Sequence, residues 1–295
     1  MRIEKFPVIE LSGTPAEIGF QHGSKLKKRI EQTIEFYTDV TKTLTLEKRM
    51  ENEKIILDYA NYFRDVIRDQ NPQFAIEIEE IAKGAKVDPL WIYAINARSE
   101  IMSNMEKGVT ECTALYFQET RILGQNWDWA ADLENLSVIM KITFENGHEI
   151  LQITEPGMIG KIGFNNKGLG VLLNFLQVPQ KLKGFPVHLI LRSILERPSL
   201  SEALEYINNL KIECAGNIMI GDSEGNYQDI EFGGNKYYLL ENSNPVFIHT
   251  NHFLKDINLN PRIEDLQSSF SRYDKASKLI SNLNDQSIEK MKEIL

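Results

Sequence analysis

A thiol and a carboxylate, Cys112 and Asp128, stand at the two ends of what reads as a β-hairpin. Cys112 opens the strand-forming run Cys112-Thr113-Ala114-Leu115-Tyr116-Phe117, after the polar turn Lys107-Gly108-Val109-Thr110. Gln118-Glu119-Thr120-Arg121 makes a short polar connection, and Ile122-Leu123 begin a second strand that runs into Gly124-Gln125-Asn126-Trp127-Asp128-Trp129. Pairing of the two strands returns Asp128 to the neighbourhood of Cys112. Nucleophile and acid then share one rigid sheet, as a site of fixed geometry requires. The competing reading makes Cys112 a small buried hydrophobe and Asp128 a solvated strand-end carboxylate.

The elements that must position this hairpin fall into two textures. Before Cys112 the chain reads as helical. Thr14 caps a helix whose first position is Pro15, and Ile18, Gly19, His22, Leu26, Ile30, Ile34, Phe36 and Tyr37 recur at roughly helical spacing to about Thr43. Further helices are expected over Leu46 to Asp69, Pro72 to Ala85, and Pro89 to about Asn104, the last capped by Asp88. Ile9 to Pro15 reads as a short extended lead-in. His22, alone on its helix, is more naturally a packed or capping residue than a chemical one.

After Cys112 the period falls to two. Ser137 to Phe144, the turn Asn146-Gly147, and Glu149 to Thr154 form the strongest hairpin signal, because Asn-Gly tolerates the positive φ of a tight turn. Strands follow around Lys161–Phe164, Gly170–Phe175, Asn217–Gly221, Gln228–Phe232, Tyr237–Glu241 and Val246–Thr250. Helices return at Val187–Leu195, at Ser201–Asn208 with Ser199 or Ser201 as cap, and from Ile263 to Leu295. Strands with helices grouped before and between them imply an α+β layered fold.

With 295 residues, 42% of them hydrophobic, the chain can bury a large core as one domain or two closely packed segments. A net charge of -9 and a pI near 5.2 argue against nucleic-acid binding, which needs clustered Lys and Arg. Two cysteines, at 112 and 214, offer neither a metal-ligand spacing nor a disulfide framework, so no metal and no cofactor is expected and reduced thiols fit a cytoplasmic setting. No apolar run approaches the ~20 residues of a spanning helix, and the first residues lack a signal core, so no membrane partner is expected.

Several blocks together resemble the acyl-coenzyme A:6-aminopenicillanic acid acyltransferase family, cysteine N-terminal-nucleophile (Ntn) hydrolases also classed as C45 peptidases. They are Gly13 to Gly23, Ile81-Ala82-Lys83-Gly84-Ala85, Cys112-Thr113, Gly124-Gln125-Asn126-Trp127-Asp128, Ile153 to Asn165, and His249-Thr250-Asn251-His252, in the family's order across nearly the whole chain. The resemblance implies a four-layer αββα Ntn-hydrolase sandwich with a helical N-terminal segment. It also implies a precursor that cuts itself between Glu111 and Cys112, giving a segment 1–111 and a catalytic segment 112–295 that stay associated.

The elementary chemistry agrees with that scheme. A thiol near pKa ~8.5 and an α-amino group near ~7.7–8.0 let one freed residue act as nucleophile and base at neutral pH. By resemblance, Asp128 holds the Cys112 amine, the amide of Asn251 donates to the oxyanion, and Arg272 lies near the nucleophile. Asn217 and Trp127 are weaker candidates for lining the substrate pocket, since strand asparagines usually satisfy backbone groups and tryptophans usually pack. Cys214 reads as structural.

Two departures from the family's pattern stand out. Glu111 occupies the position of a glycine, which restricts the backbone where self-cleavage needs freedom. The sequence stops at Leu295 inside a helix where the family's further strands normally follow, so the expectation is a catalytic segment lacking those last strands, with an edge strand exposed and activity reduced or lost.

The function expected is a self-processing amidohydrolase cleaving a linear amide through an acyl-Cys112 intermediate. The alternatives are an acyl-CoA-dependent N-acyltransferase using the same nucleophile, with acyl-CoA as co-substrate, and an uncleaved binding homologue without activity. The partners expected are a small amide or acyl thioester and the two self-cleaved segments of the chain itself; a homo-oligomer is compatible with this reading.

Overall fold

A computed structural model of the chain describes residues 6–40, 42–105, 111–241 and 244–295. The turn expected at Lys107-Gly108-Val109-Thr110 lies outside the described residues. In chain order the elements are β1 (Val8–Gly13), α1 (Pro15–Thr38), α2 (Leu46–Gln70), α3 (Pro72–Ala85), α4 (Pro89–Asn96), α5 (Arg98–Asn104), β2 (Glu111–Phe117), β3 (Ile122–Asp128), α6 (Ala131–Leu136), β4 (Val138–Phe144), β5 (Glu149–Thr154), β6 (Gly163–Asn165) and β7 (Gly170–Asn174). They continue as α7 (Val187–Leu195), α8 (Leu200–Asn208), β8 (Cys214–Gly221), β9 (Tyr227–Gly234), β10 (Tyr237–Leu240), β11 (Val246–His249), α9 (Gln267–Ser281) and α10 (Ile288–Ile294). The chain is α+β.

Local chemistry sets most of these boundaries. Thr14 accepts from the N–H of Glu17 while the Glu17 carboxylate returns to the Thr14 N–H, a reciprocal cap with Pro15 at the first helical position. This helix stops at Thr38, short of the expected Thr43, because the Asp39 carboxylate takes the N–H groups of Thr43 and Leu44 at 3.2 Å and turns the chain. The single helix expected from Pro89 to Asn104 is two. Asn96 directs its amide to Ile92 O at 2.9 Å and Gly157 O at 2.8 Å, and Ala97 after it departs from helical angles at φ -106, ψ 18. The C-terminal helix is likewise divided, with Asn282 closing α9 and Ser287 capping α10 through the N–H of Lys290. The expected extended lead-in is a true strand, β1, which pairs in parallel with β4 from Val8↔Ile139 to Gly13↔Phe144.

The chain forms two compact units. The first comprises Met1–Ile101, Ala130–Lys161 and Lys183–Arg192. It contains a mixed sheet in which β4 lies between parallel β1 and antiparallel β5. α1 and α3 touch backbone to backbone: a Cβ on Gly23 would stand 2.0 Å from Ile81 O, and one on Gly84 2.4 Å from Phe20 O. Charged groups are buried in this unit and matched. Glu155 receives Arg98 at 2.7 Å, Lys161 at 2.9 Å and the hydroxyl of Tyr37. Glu77 receives both terminal nitrogens of Arg192, at 3.1 and 2.8 Å. His22 is fully buried and its Nε2 accepts from Gly157 N at 2.9 Å; burial pushes it down to about 3, so it is a neutral staple rather than a chemical group.

The second unit comprises Met102–Trp129, Ile162–Leu182 and Ser193–Leu295, so the Glu111–Cys112 junction falls inside it. Here β6, β7, β8, β9 and β10 follow one another antiparallel, and a separate three-stranded sheet has the order β11-β2-β3. The two sheets face each other through Ala114, Tyr116 and Phe247 on one side and Leu172 and Met219 on the other. The outer face of the smaller sheet is covered by the last two helices, where Leu115, Phe117 and Val246 meet Ile280 and Met291. All eight residues of β8 are buried, which requires cover on both faces of its sheet.

Candidate active site

Strand alternation decides where Cys112 points. Ala114 and Tyr116 face the larger sheet, and Thr113, Leu115 and Phe117 face the helices, so the Cys112 side chain belongs to the inter-sheet face. Its cross-strand neighbour on that face is Trp127, in a hairpin whose register runs from Glu111↔Asp128 to Phe117↔Ile122. Cys112 is only 4% exposed, and Trp127 is half-buried.

The backbone of Cys112 is gripped at both ends. Its N–H donates to Asn251 Oδ1 at 2.7 Å, and its carbonyl accepts from Arg272 Nη1. The same Nη1 reaches Thr113 Oγ1 at 3.0 Å, and Nη2 donates to Asn251 Oδ1 at 2.9 Å. Two obligatory donors therefore meet one side-chain atom, which fixes that atom as the oxygen of Asn251. The Asn251 nitrogen points the other way and donates to Phe175 O at 3.0 Å. The expectation that the Asn251 amide donates toward the reacting carbonyl is thus modified: the atom facing Cys112 is an acceptor.

Asp128 occupies a different place from the one expected. It is exposed at the end of β3, opposite Glu111, and by alternation shares the helix-facing side with Asn126 and Thr113 rather than the thiol side. The Cys112 N–H points to Asn251, which follows β11 on the other side of β2. Asn217 is fully buried on β8 and donates to the Asp229 carboxylate and, at 3.4 Å, to Ile230 O, so its nitrogen serves the interior of its own sheet. Glu111 begins β2. Cys214 is buried, takes part in no disulfide and has Gly234 as its cross-strand partner.

Of the residues that hold this site, Asn217 was singled out from the sequence and Asn174 and Glu231 were not. Asn174, Asn217 and Glu231 are directly opposite one another on β7, β8 and β9. Asn174 donates to His249 O at 2.6 Å and Thr250 O at 3.0 Å. Glu231 takes His249 Nε2 at 2.8 Å and the N–H groups of Leu254 and Lys255 at 2.6 and 3.0 Å. The loop carrying Asn251 is therefore pinned to the larger sheet on both flanks. Burial works against a charged His249, but the Glu231 hydrogen bond and the nearby Asp229 charge together hold it above its ordinary pKa. Burial pushes Asp229 up to about 6. The readable signal was a polar side chain on a strand otherwise apolar on both faces, as for Asn174 on β7 and Asn217 on β8.

Among the described residues no group of His, Cys, Asp or Glu is arranged to hold a metal ion. None of the described helices is long and apolar enough to cross a membrane.

The backbone of a cysteine that opens an inter-sheet strand is thus clamped by an asparagine and an arginine. A sequence model of the family described as "Acyl-coenzyme A:6-aminopenicillanic acid acyl-transferase" matches residues 117–295. The chain is 32% identical over 285 residues, 94% of its own length and 78% of the other's, to the 40 kDa form of acyl-coenzyme A:6-aminopenicillanic-acid-acyltransferase from Emericella nidulans. The chain belongs to this acyltransferase family.

Among solved structures, penicillin V acylase from Agrobacterium tumefaciens gives a TM-score of 0.33 at 10% identity, over 63% of this chain and 62% of that one. A mutant conjugated bile acid hydrolase from Clostridium perfringens gives 0.35 at 17% identity, over 61% and 60%. The chain thus spans about three fifths of each of these two structures, and scores this low carry no weight beside the sequence match.

Proposed function

We propose that the chain is a self-processing cysteine Ntn amidohydrolase with Cys112 as nucleophile. The observation that carries this reading is the double grip on the Cys112 backbone, with Asn251 Oδ1 2.7 Å from its nitrogen and Arg272 on its carbonyl. In the uncut chain that nitrogen is a peptide N–H; after cleavage it is the α-amine, and the same oxygen is placed to orient it.

Self-cleavage begins when Cys112 Sγ adds to the Glu111 carbonyl carbon. The Glu111–Cys112 C–N bond breaks, the nitrogen takes a proton, and Glu111 is left as a thioester on Cys112. Water then splits the thioester to a Glu111 carboxylate and a free Cys112 thiol. In the processed enzyme the amine takes the thiol proton, and the thiolate attacks a linear amide. The proton passes to the departing amine, and water resolves acyl-Cys112. Arg272 supplies a fixed positive charge at the nucleophile's own peptide, where negative charge develops nearby. Asp128 stands at the exposed end of β3 opposite Glu111, the residue before the freed amine.

Intact mass of freshly purified protein tests the reading against Cys112→Ala. A split between Glu111 and Cys112 in the wild type alone is the expected result, and one uncut chain in both would sink self-processing. The name of the Emericella nidulans relative favours a second reading, transfer of the acyl group from acyl-coenzyme A to an amine. Stoichiometric release of free acid when an amine and an acyl thioester are supplied together would decide for hydrolysis.

A further inference from the structure

Ser269 lies in the first turn of α9, one helical turn before Arg272, and is 4% exposed. Its hydroxyl does not serve its own helix, whose start at Leu266 has no side-chain cap. It is turned instead onto the loop that carries Asn251. Ser269 Oγ accepts the Asn251 N–H at 2.8 Å and lies 2.8 Å from His252 Nδ1 and 3.0 Å from Thr250 Oγ1. The Thr250 hydroxyl also reaches Ser269 O at 3.2 Å. One hydroxyl therefore touches three consecutive residues.

The donors and acceptors close without a gap. A hydroxyl has one proton and two lone pairs, and the Asn251 N–H commits one lone pair. Burial, with help from the charges of His249 and Arg272, pushes His252 down to about 4, so its ring is neutral near pH 7. With Nδ1 as the bare nitrogen, the one Ser269 proton is shared between it and Thr250 Oγ1, and Thr250 donates to Ser269 O. No member is left without a partner, and a networked polar group of this kind is costly to disturb.

We propose that Ser269 is a positioning residue that fixes Asn251 and, through it, the nitrogen of Cys112. This rests on the reading of Cys112 as nucleophile. α9 then holds Asn251 at two points one turn apart: Ser269 fixes the backbone, and Arg272 fixes the side-chain oxygen at 2.9 Å. The 2.7 Å approach of that oxygen to Cys112 N is the consequence.

The test is the alkylation rate of Cys112 by iodoacetamide, located by peptide mass and followed from pH 5 to 9, in the wild type, Ser269→Ala and Ser269→Thr. Amide hydrogen exchange of the peptide containing Asn251 is measured in parallel. Ser269→Ala is expected to slow alkylation roughly tenfold near neutral pH, the scale of a buried donor left unmatched, and to speed exchange at Asn251. It should also displace the pH profile, and Ser269→Thr, which keeps the hydroxyl, should restore all three. Wild-type rate and profile in Ser269→Ala, or faster exchange without any change at Cys112, would overturn the proposal. An unreactive Cys112 in the wild type would instead fail the nucleophile reading and take the proposal with it. If Ser269→Ala does not fold, Thr250→Val removes one neighbour of Ser269 while leaving the Asn251 N–H bond. Thr250→Val should then keep the wild-type profile, and a lost profile there would overturn the specific role of Ser269.

Discussion

Asn251 presents its side-chain oxygen, at 2.7 Å, to the backbone nitrogen of Cys112, and turns its amide nitrogen away to Phe175 O. An acceptor at this position holds a donor, which is the role an α-amine needs. Asn251→Asp keeps an oxygen toward both Cys112 and Arg272, whereas Asn251→Leu leaves a buried N–H and a guanidinium with one partner fewer. Asn251→Leu should therefore lower the alkylation rate of Cys112 by roughly tenfold or more, and Asn251→Asp by distinctly less. Equal losses in the two variants would return Asn251 to the role of a donor.

Glu100 gives a pH signature in the first unit. It is fully buried, Oε1 accepts from Val187 N at 2.8 Å, and burial pushes its carboxyl up to about 7 against an ordinary 4.5. A raised acid stabilises the fold fully below its unfolded pKa, and that contribution is lost as pH rises through the folded value. Wild-type stability should thus decline between about pH 4.5 and 7, by on the order of 3 kcal/mol at most. Glu100→Gln keeps an acceptor for Val187 and cannot ionise. Urea midpoints at pH 5 and pH 8 should converge in this variant, and an unchanged gap between them would refute the assignment.

Gly23 tests the close approach of the first and third helices. An alanine there would bring Cβ to 2.0 Å from the Ile81 carbonyl oxygen, a backbone atom that cannot move without its helix. Alanine is worth about 1 kcal/mol more than glycine inside a helix, so propensity alone would stabilise the variant. Overpacking costs roughly 1–3 kcal/mol or more, and a net loss in thermal or urea stability is expected. A more stable Gly23→Ala would show that the two helices are free to separate.

The sequence made the hairpin around Cys112 readable because its alternation, polar turn and apolar partner strand all agree. The same local consistency placed α3 and α7 at their observed bounds. What local pattern could not express was the effect of side chains reaching backbone groups far along the chain. Asn96 ends α4 by bonding Gly157 O, and nothing between Pro89 and Asn104 announces that partner. At the site, the residue types of Cys112, Asn251 and Arg272 were legible, but the direction of the Asn251 amide was not. That direction depends on which donors converge on it, which is a property of the assembled loop. Asp128 illustrates the complementary limit, since the hairpin returns it opposite Glu111, one residue short of Cys112, and strand alternation sends it to the other face.

The grip on Cys112 also has a bearing on inheritance of order across a broken chain. Asn251, Arg272, Thr113, Phe175 and Ser269 all follow Cys112 in the sequence. Opening the peptide bond in front of Cys112 turns a mid-chain strand into a strand beginning at a free end, yet severs none of these five residues from the segment that carries the thiol. A cut at the proposed Glu111–Cys112 bond would fall at the boundary of this scaffold, so the conformation before it would be a template for the one after it.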